Sequence, residues 1–441
     1  MIHTIEKILR RPFDEFFKTE SASGVLLFFV TIAALIWANS PWGEVYRSLW
    51  NQPIVVGAPG ILELEKPLII WINDGLMAVF FFLIGLEIKR ELMVGELNDL
   101  RKASLPLIAA LGGILVPVTL FLLLNDDPYT RAGWGIPMAT DIAFSLAVLN
   151  VLGKRVPLGL KVFLTAFAIV DDLGAVVAIA IFYSSDLQLE LIGYAAALLA
   201  LAFFLSNRRI YSRYVYFSIG VLVWVLFLKS GVHPTIAGVL MAFTIPMHRK
   251  ANLKQLLLSM QQAMHDLQPD EDERAAGVKL LSHRQISILN DLMKMASAAQ
   301  SPLQALEHRL HGWVAYLILP IFALANAGVD LSAETQYLAL SVHIALALVV
   351  GKSLGIFAFT WAGLKLKLCD LPSGVNLQHV AGVGLLAGIG FTMAMFISNL
   401  AFDDLALVNA SKLGILVGSL FSGIAGYVLL RLTLLDPKAD D

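Results

Sequence analysis

The chain has 441 residues, 58% hydrophobic and 15% charged, with a mean hydropathy of +0.74. That charged share is well below the roughly 25% of soluble domains, and a formal charge of −2 offers no footing for nucleic acid. The lone cysteine, Cys369, excludes an internal disulfide.

Residues 1–22 place Lys7, Arg10, Arg11 and Lys18 among Glu6, Asp14, Glu15 and Glu20, the pattern of a short amphipathic cytoplasmic segment. A leader cleaved near Ala38 or Asn39 is conceivable, but the apolar run reads as a retained span. Apolar runs near 20 residues then recur, predicting an all-α polytopic membrane protein with about twelve transmembrane helices. Barrel strands would instead alternate over about 10 residues. The spans lie near 23–38, 67–88, 104–125, 133–151, 157–183, 189–206, 211–228, 232–247, 312–329, 337–362, 376–399 and 407–431. Spans 1–8 thus occupy 23–247, and spans 9–12 fall within 307–432, ahead of a cytoplasmic tail at 433–441. Between the first two spans, residues 53–64 alternate and turn like a small periplasmic hairpin. The only sizeable non-membrane piece, 248–306, puts Leu253, Leu256, Leu257, Met260, Met264 and Leu267 on one helical face. Pro269-Asp-Glu-Asp-Glu273 breaks that run, and a second amphipathic stretch carries Ile286, Leu289, Leu292 and Met293. This linker reads as a cytoplasmic hairpin on the protein or membrane surface, or as a regulatory contact.

Orientation follows from the basic residues in alternate loops. One side holds Lys7 to Lys18, Lys89, Arg90, Arg101, Lys102, Lys154, Arg155, Lys161, Arg208, Arg209, Arg213, Lys365, Lys367, Arg431 and Lys438. The other holds Arg47, Lys66, Arg131, Lys229 and Lys412. Both termini are therefore expected in the cytoplasm, which requires an even span count.

Few ionisable residues remain deep in the spans: Asp74, Asp141, Asp171, Asp172 and Lys352, with Glu87 near a span end. The adjacent pair Asp171-Asp172 lies in the apolar run Val156–Tyr183. One acid at mid-bilayer costs roughly 2.5–3.5 kcal/mol on insertion scales, and like charges disfavour joint ionisation. Such a pair points to holding a cation, a proton, or each in turn. Asp74 sits near an interface and suits structural hydrogen bonding. Asp141 follows Gly135 and Pro137, which suggests an interrupted helix. Thr140-Asp141 then reads as a cap that restarts the helix and as a carboxylate beside helix ends. Gly382, Gly384, Gly388 and Gly390 mark a second interruption, or merely close helix packing. The interrupted spans 4 and 11 are the middle members of trios 3–5 and 10–12, which enter the membrane from opposite faces. Inverted repeats with broken middle helices are a transporter arrangement, with the ion site where the breaks meet. Lys352 either pairs with carboxylates of the first trio or snorkels to the interface.

At this point the residues resemble the NhaA-type sodium/proton antiporter family. The resemblance rests on Trp71-Ile-Asn-Asp-Gly-Leu-Met-Ala-Val-Phe80, Gly85-Leu-Glu-Ile-Lys-Arg-Glu-Leu92, Ala139-Thr-Asp-Ile-Ala-Phe144 and Ala168-Ile-Val-Asp-Asp-Leu-Gly-Ala175. It extends through Leu228-Lys-Ser-Gly-Val-His233, Trp313-Val-Ala-Tyr-Leu-Ile-Leu-Pro320 and Gly388-Ile-Gly-Phe-Thr392. This family is itself an example from which the inverted-repeat rule was drawn, so the two observations are not independent. The resemblance implies exchange of Na+ or Li+ for H+ across the bacterial inner membrane, with the two broken helices crossing. It implies Asp171 and Asp172 as the cation- and proton-binding pair, Asp172 being the more indispensable. Thr140 and Asp141 would stand beside them, and Lys352 would balance helix ends and could pair with Asp171. It maps a pH-sensing cluster onto Glu87, Arg90, Glu91, Glu307, His308 and His311, with His233 another pH-linked position. It also implies a homodimer through the hairpin near 53–64. The long segment before Glu307 departs from the family pattern by its length.

The expected partners are therefore Na+, Li+, H+ and the lipid bilayer, with no cofactor and no enzymatic activity. Sodium is a hard cation that takes oxygen ligands, and competition with protons for the same carboxylates would couple the two flows. Two protons per cation would make the exchange electrogenic. Of nine histidines, only His308 and His311 sit at a plausible cytoplasmic mouth; they read equally as sensors or as solvated loop residues. An intramembrane aspartyl protease would need its aspartates on separate helices, and a light-driven pump would not need so many spans. A potassium or calcium exchanger is the nearest rival.

Overall fold

In the computed structural model, residues 2–58, 62–184, 186–248, 253–267, 283–331 and 337–434 are described. Helix α1 (Ile2–Ala38) is followed by the short α2 (Gly43–Asn51) and a hairpin of β1 (Pro53–Ala58) and β2 (Leu62–Pro67). The strands pair antiparallel from Pro53↔Pro67 to Ala58↔Leu62, so the hairpin reaches three residues beyond the expected 53–64. The amphipathic segment expected at 1–22 and the first span form one unbroken helix. Gly24 does not end it, because Gly24 is a packing position: a Cβ there would lie 2.5 Å from Ala147 Cβ.

A π-helical turn, Trp71–Leu76, leads into α3 (Met77–Val94), and α4 (Leu100–Leu124) begins on an Asp99 cap. A 3-10 turn, Ala132–Met138, precedes α5 (Ile142–Val151). There follow α6 (Leu158–Phe182), α7 (Leu189–Asn207), α8 (Arg213–Ser230) and the short α9 (Thr235–Thr244). Two surface helices, α10 (Leu253–Asp266) and α11 (His283–Ala299), occupy the linker; the expected break at Pro269–Glu273 lies outside the described residues. Helix α12 (Pro302–Trp313) starts five residues ahead of Glu307 because Ser301 and Gln304 form a reciprocal capping box. A π-turn joins it to α13 (Leu319–Asn326). Next come α14 (Leu338–Leu346), the π-turn Ala347–Gly351, α15 (Lys352–Lys365), α16 (Leu377–Ala387), α17 (Phe391–Ala401) and α18 (Leu405–Thr433).

Among the described residues, eight helices are long and apolar enough to cross a membrane, or ten when each of two bent pairs counts as one span. The bent pairs are Pro128–Met138 with α5, at 48°, and α16 with α17, at 47°. The spans expected at 232–247 and 312–329 fall on α9 and on α12–α13, which are shorter or carry charge. Large apolar side chains such as Leu123, Phe182 and Phe217 face outward, while Asp171, Asp172 and Lys352 are buried. Apolar outside and charged inside is the pattern of a helix bundle in lipid.

The deepest packing joins α4 to α15. There Gly112 and Gly355 meet backbone to backbone: a Cβ on Gly355 would lie 2.1 Å from Gly112 O, and one on Gly112 would lie 2.2 Å from Gly355 O. Association in lipid relies on such close van der Waals approach between small residues. Gly351 packs on Pro117 in the same seam, and this contact carries the neighbouring Lys352 into the interior.

Candidate ion-binding site

The site lies at the two helix breaks. Between the 3-10 turn and α5, the residues Ala139, Thr140 and Asp141 leave helical form. Pro137 has no N–H to continue the helix, and the Asp141 side chain restarts it by accepting from Phe144 N–H at 3.1 Å. Between α16 and α17 the chain opens at Gly388-Ile389-Gly390. A Cβ on Gly388 would lie 2.5 Å from Leu348 O, so this break tolerates only glycine.

Each break satisfies the backbone groups freed by the other. Asp141 N–H donates to Ile389 O at 2.6 Å, Thr140 Oγ1 to Ala387 O at 2.9 Å, and Ser145 Oγ to Leu386 O at 2.9 Å. Asp141 Oδ2 accepts from Thr392 N–H at 3.1 Å and from the Thr392 hydroxyl. One carboxylate therefore serves the first turns of both α5 and α17, where two positive helix poles converge. Lys352, the first residue of α15, does the converse. Its Nζ donates to Met138 O, at the closing end of the 3-10 turn, and to Asp171 Oδ2 at 2.8 Å.

Asp171 and Asp172 differ in what they face. Consecutive helical residues diverge by about 100°. Asp171 turns to Lys352, both side chains being fully buried. Asp172 turns into a narrow cavity that also touches Glu87, Thr140, Asp141, Thr165, Ile169 and Thr392. Glu87, Asp141 and Asp172 all border this cavity, whereas the Lys352 ammonium is engaged by Asp171, and the excess of carboxylates calls for a cation or protons.

The proposed pH-sensing residues divide into two groups. Arg90 bridges Glu91 Oε1 and Glu307 Oε1, each at 2.9 Å, and Glu87 is buried one turn before Arg90 on α3. Burial pushes the Glu307 carboxyl above its ordinary value, with the Arg90 guanidinium opposing the shift. His311 is pushed below its ordinary value by burial and then by His308, which itself is exposed. His233 lies elsewhere, with Nδ1 2.7 Å from Thr235 Oγ1 and Nε2 3.8 Å from Asp74 Oδ1. Asp74 precedes Glu87 by 13 residues, about 20 Å along a helix. The Asp74 carbonyl also accepts from Trp224 Nε1 at 3.0 Å.

Several partners went unrecognised in the sequence. Thr392 was visible only as the end of a glycine-rich string. Asn326 Nδ2 donates to Asn73 Oδ1 at 2.8 Å, Asn399 Nδ2 donates to Asn326 Oδ1 at 2.7 Å, and Lys412 Nζ approaches that same oxygen at 3.5 Å. This network ties α17 and α18 to α13 and to the π-turn before α3. Amides inside apolar helices were the available signal. Among the described residues no group of three or more His, Cys, Asp or Glu side chains is arranged to hold a metal.

A helical bundle with charged groups gathered at two facing breaks defines a multi-pass membrane protein of the ion-transporting class. A sequence model of the family described as Na+/H+ antiporter 1 matches residues 14–430. The chain is 47% identical over 440 residues to the Na(+)/H(+) antiporter NhaA of Oleidesulfovibrio alaskensis, covering 98% of this chain and 95% of that protein. It is 45% identical over 428 residues to the Na(+)/H(+) antiporter NhaA of Yersinia enterocolitica, covering 95% and 96%. The same identity holds over 426 residues with that of Yersinia pestis. The chain belongs to the Na+/H+ antiporter 1 family.

Proposed function

We propose that this protein exchanges Na+ or Li+ for H+ across the bacterial inner membrane, with Asp172 as the principal ligand of the transported cation. The observation that carries this assignment is the division of labour on α6: Asp171 is engaged by Lys352, while Asp172 faces the cavity. Family membership and relatives named as Na+/H+ antiporters support the choice of ions. Thr140 and Asp141 stand within the same cavity and supply further oxygens.

Sodium at Asp172 neutralises a buried carboxylate, and so does a proton. The two compete for the same oxygens, and this competition couples their flows without a separate valve. A second proton is carried by the Asp171–Lys352 pair, whose ion pair opens as the site changes its access. Two protons inward per cation outward move net charge, so the membrane potential drives sodium export. No covalent step and no cofactor enter this cycle.

The remaining assignments fit this reading. Twelve spans result when α9 and residues 312–329 are counted as the eighth and ninth, with both termini cytoplasmic and trios 3–5 and 10–12 inverted. The cluster Glu87, Arg90, Glu91, Glu307, His308 and His311 then stands at the cytoplasmic mouth as the pH-responsive element. His233 acts from the opposite end, and the β1–β2 hairpin joins two copies. The deciding experiment adds NaCl to purified protein and to Asp172→Asn in weak buffer at alkaline pH. Protons should be released by the first and not by the second; sodium-dependent release from Asp172→Asn would defeat the assignment. Reconstituted vesicles should exchange faster under an imposed potential, and indifference to voltage would reject the electrogenic cycle.

A further inference from the structure

The cavity that ends at Asp172 holds one hydroxyl that no protein group engages. Thr165 precedes Asp172 by seven residues on α6, so the two share a face and stand about 10 Å apart along the axis. Both border the cavity, with Ile169 between them. Thr165 Oγ1 is buried and has no protein hydrogen-bond partner. A helical threonine ordinarily donates to a carbonyl three or four residues back. Thr31, Thr119 and Thr433 do so at 2.7, 2.7 and 2.9 Å, and Thr244 at 2.7 Å. Thr360 shares the exception but does not border this cavity. The other two threonine hydroxyls of the cavity, Thr140 and Thr392, are committed as donors at the breaks.

Thr165 lies toward the start of α6, the end adjoining Lys154 and Arg155; on α3 the corresponding wall is apolar until Glu87. The cavity has a volume of about 40 Å³, room for about three waters. A cation passing from Glu87 to Asp172 must shed hydration there.

We propose that the Thr165 hydroxyl is a relay ligand, replacing one water of the entering cation before Asp172 takes it; this rests on the exchange reading above. A neutral oxygen with two lone pairs suits that step. It lowers the cost of dehydration yet holds the ion weakly enough to release it, as conduction through successive sites requires. Asp172 supplies the charge that ends the transfer.

The test compares wild type, Thr165→Val and Thr165→Ser in proteoliposomes, recording initial proton flux against Na+ and Li+ concentration. Proton release on adding NaCl to the same purified proteins reports equilibrium occupancy. Thr165→Val should raise half-saturating Na+ about 2- to 10-fold, the range for one lost oxygen contact, at nearly unchanged maximal rate. Its equilibrium release midpoint should stay within about 2-fold of wild type, and Thr165→Ser should restore the flux. Thr165→Ala carries the same comparison if the valine variant is unstable. Wild-type flux curves for both oxygen-free variants would overturn the relay alone. An equilibrium midpoint displaced as far as the half-saturation would place Thr165 in the Asp172 site itself and also overturn it. Absence of sodium-dependent flux in wild type would overturn the exchange reading and the relay with it.

Discussion

Loss of the Lys352 ammonium exposes the electrostatics of the site most directly. Lys352 Nζ and Asp171 Oδ2 lie 2.8 Å apart with both side chains fully buried. At an effective dielectric constant near 20 their gross attraction is about 6 kcal/mol, most of it offset by the cost of taking both charges out of water. The net value of the pair is therefore small, but the cost of breaking it is not. Lys352→Met strands Asp171 and also strips Met138 O of its donor; about 3–5 kcal/mol of stability should be lost. In the double variant Asp171→Asn, Lys352→Met no stranded charge remains. Only the orphaned Met138 carbonyl persists, at about 1–3 kcal/mol. Equilibrium unfolding in mixed micelles of dodecyl maltoside and SDS, without sodium, gives the two values. A loss below about 1 kcal/mol in the single variant, or a double variant whose loss equals the sum of both singles, refutes the argument. Sodium-induced proton release in the double variant then separates the roles, since Asp172 is untouched and release through it should persist.

Three further predictions concern the scaffold and its titration. Gly355→Leu forces α15 off α4 at the point where a Cβ meets Gly112 O at 2.1 Å. It should cost at least about 1–3 kcal/mol and carry Lys352 away from Asp171; a wild-type melting curve would show that the seam yields. The raised Glu307 carboxyl contributes stability that is complete below its ordinary value of 4.5 and is lost as pH rises through its folded value. Glu307→Gln should flatten that decline. The lowered His311 works in the opposite sense: its contribution is complete above its ordinary 6.5 and is lost as pH falls through its folded value. His311 is therefore neutral throughout the alkaline range. Within the pH-responsive cluster His311 should therefore act on the acid side only: His311→Asn should leave the alkaline flank of the transport profile in place, and a displaced alkaline flank would refute the lowered titration.

Much of the candidate site could be read from residue types alone. A carboxylate or ammonium inside an apolar run is costly enough to be conspicuous, so Asp141, Asp171, Asp172 and Lys352 stood out. The breaks were marked by Pro137 and by Gly388 and Gly390, residues that interrupt helices for local reasons. Facing was harder to read. Helices that are apolar nearly all round, such as α6, carry no periodic stripe, so periodicity does not say which of two adjacent aspartates meets Lys352; only the family resemblance points to Asp171. Thr392 and Asn326 are polar but cheap to bury once hydrogen-bonded, Thr165 adds only a single hydroxyl, and nothing in composition singles them out. Spatial grouping was equally hidden: His233 and Glu307 are both titratable, yet they stand at opposite ends of α3.

What the amino-acid order settled without help was everything governed by the solvent of the chain. A bilayer demands long apolar runs, penalises every charge within them and leaves glycine and proline to mark departures from helix; all of these are local. Only the folded molecule decided that Asp141 closes two helix starts at once, that Met138 O meets Lys352, and that Asp172 alone of the pair looks into the cavity. Those facts depend on groups more than a hundred residues apart being pressed together, at distances set by the Gly112–Gly355 seam and the crossed hydrogen bonds of the two breaks.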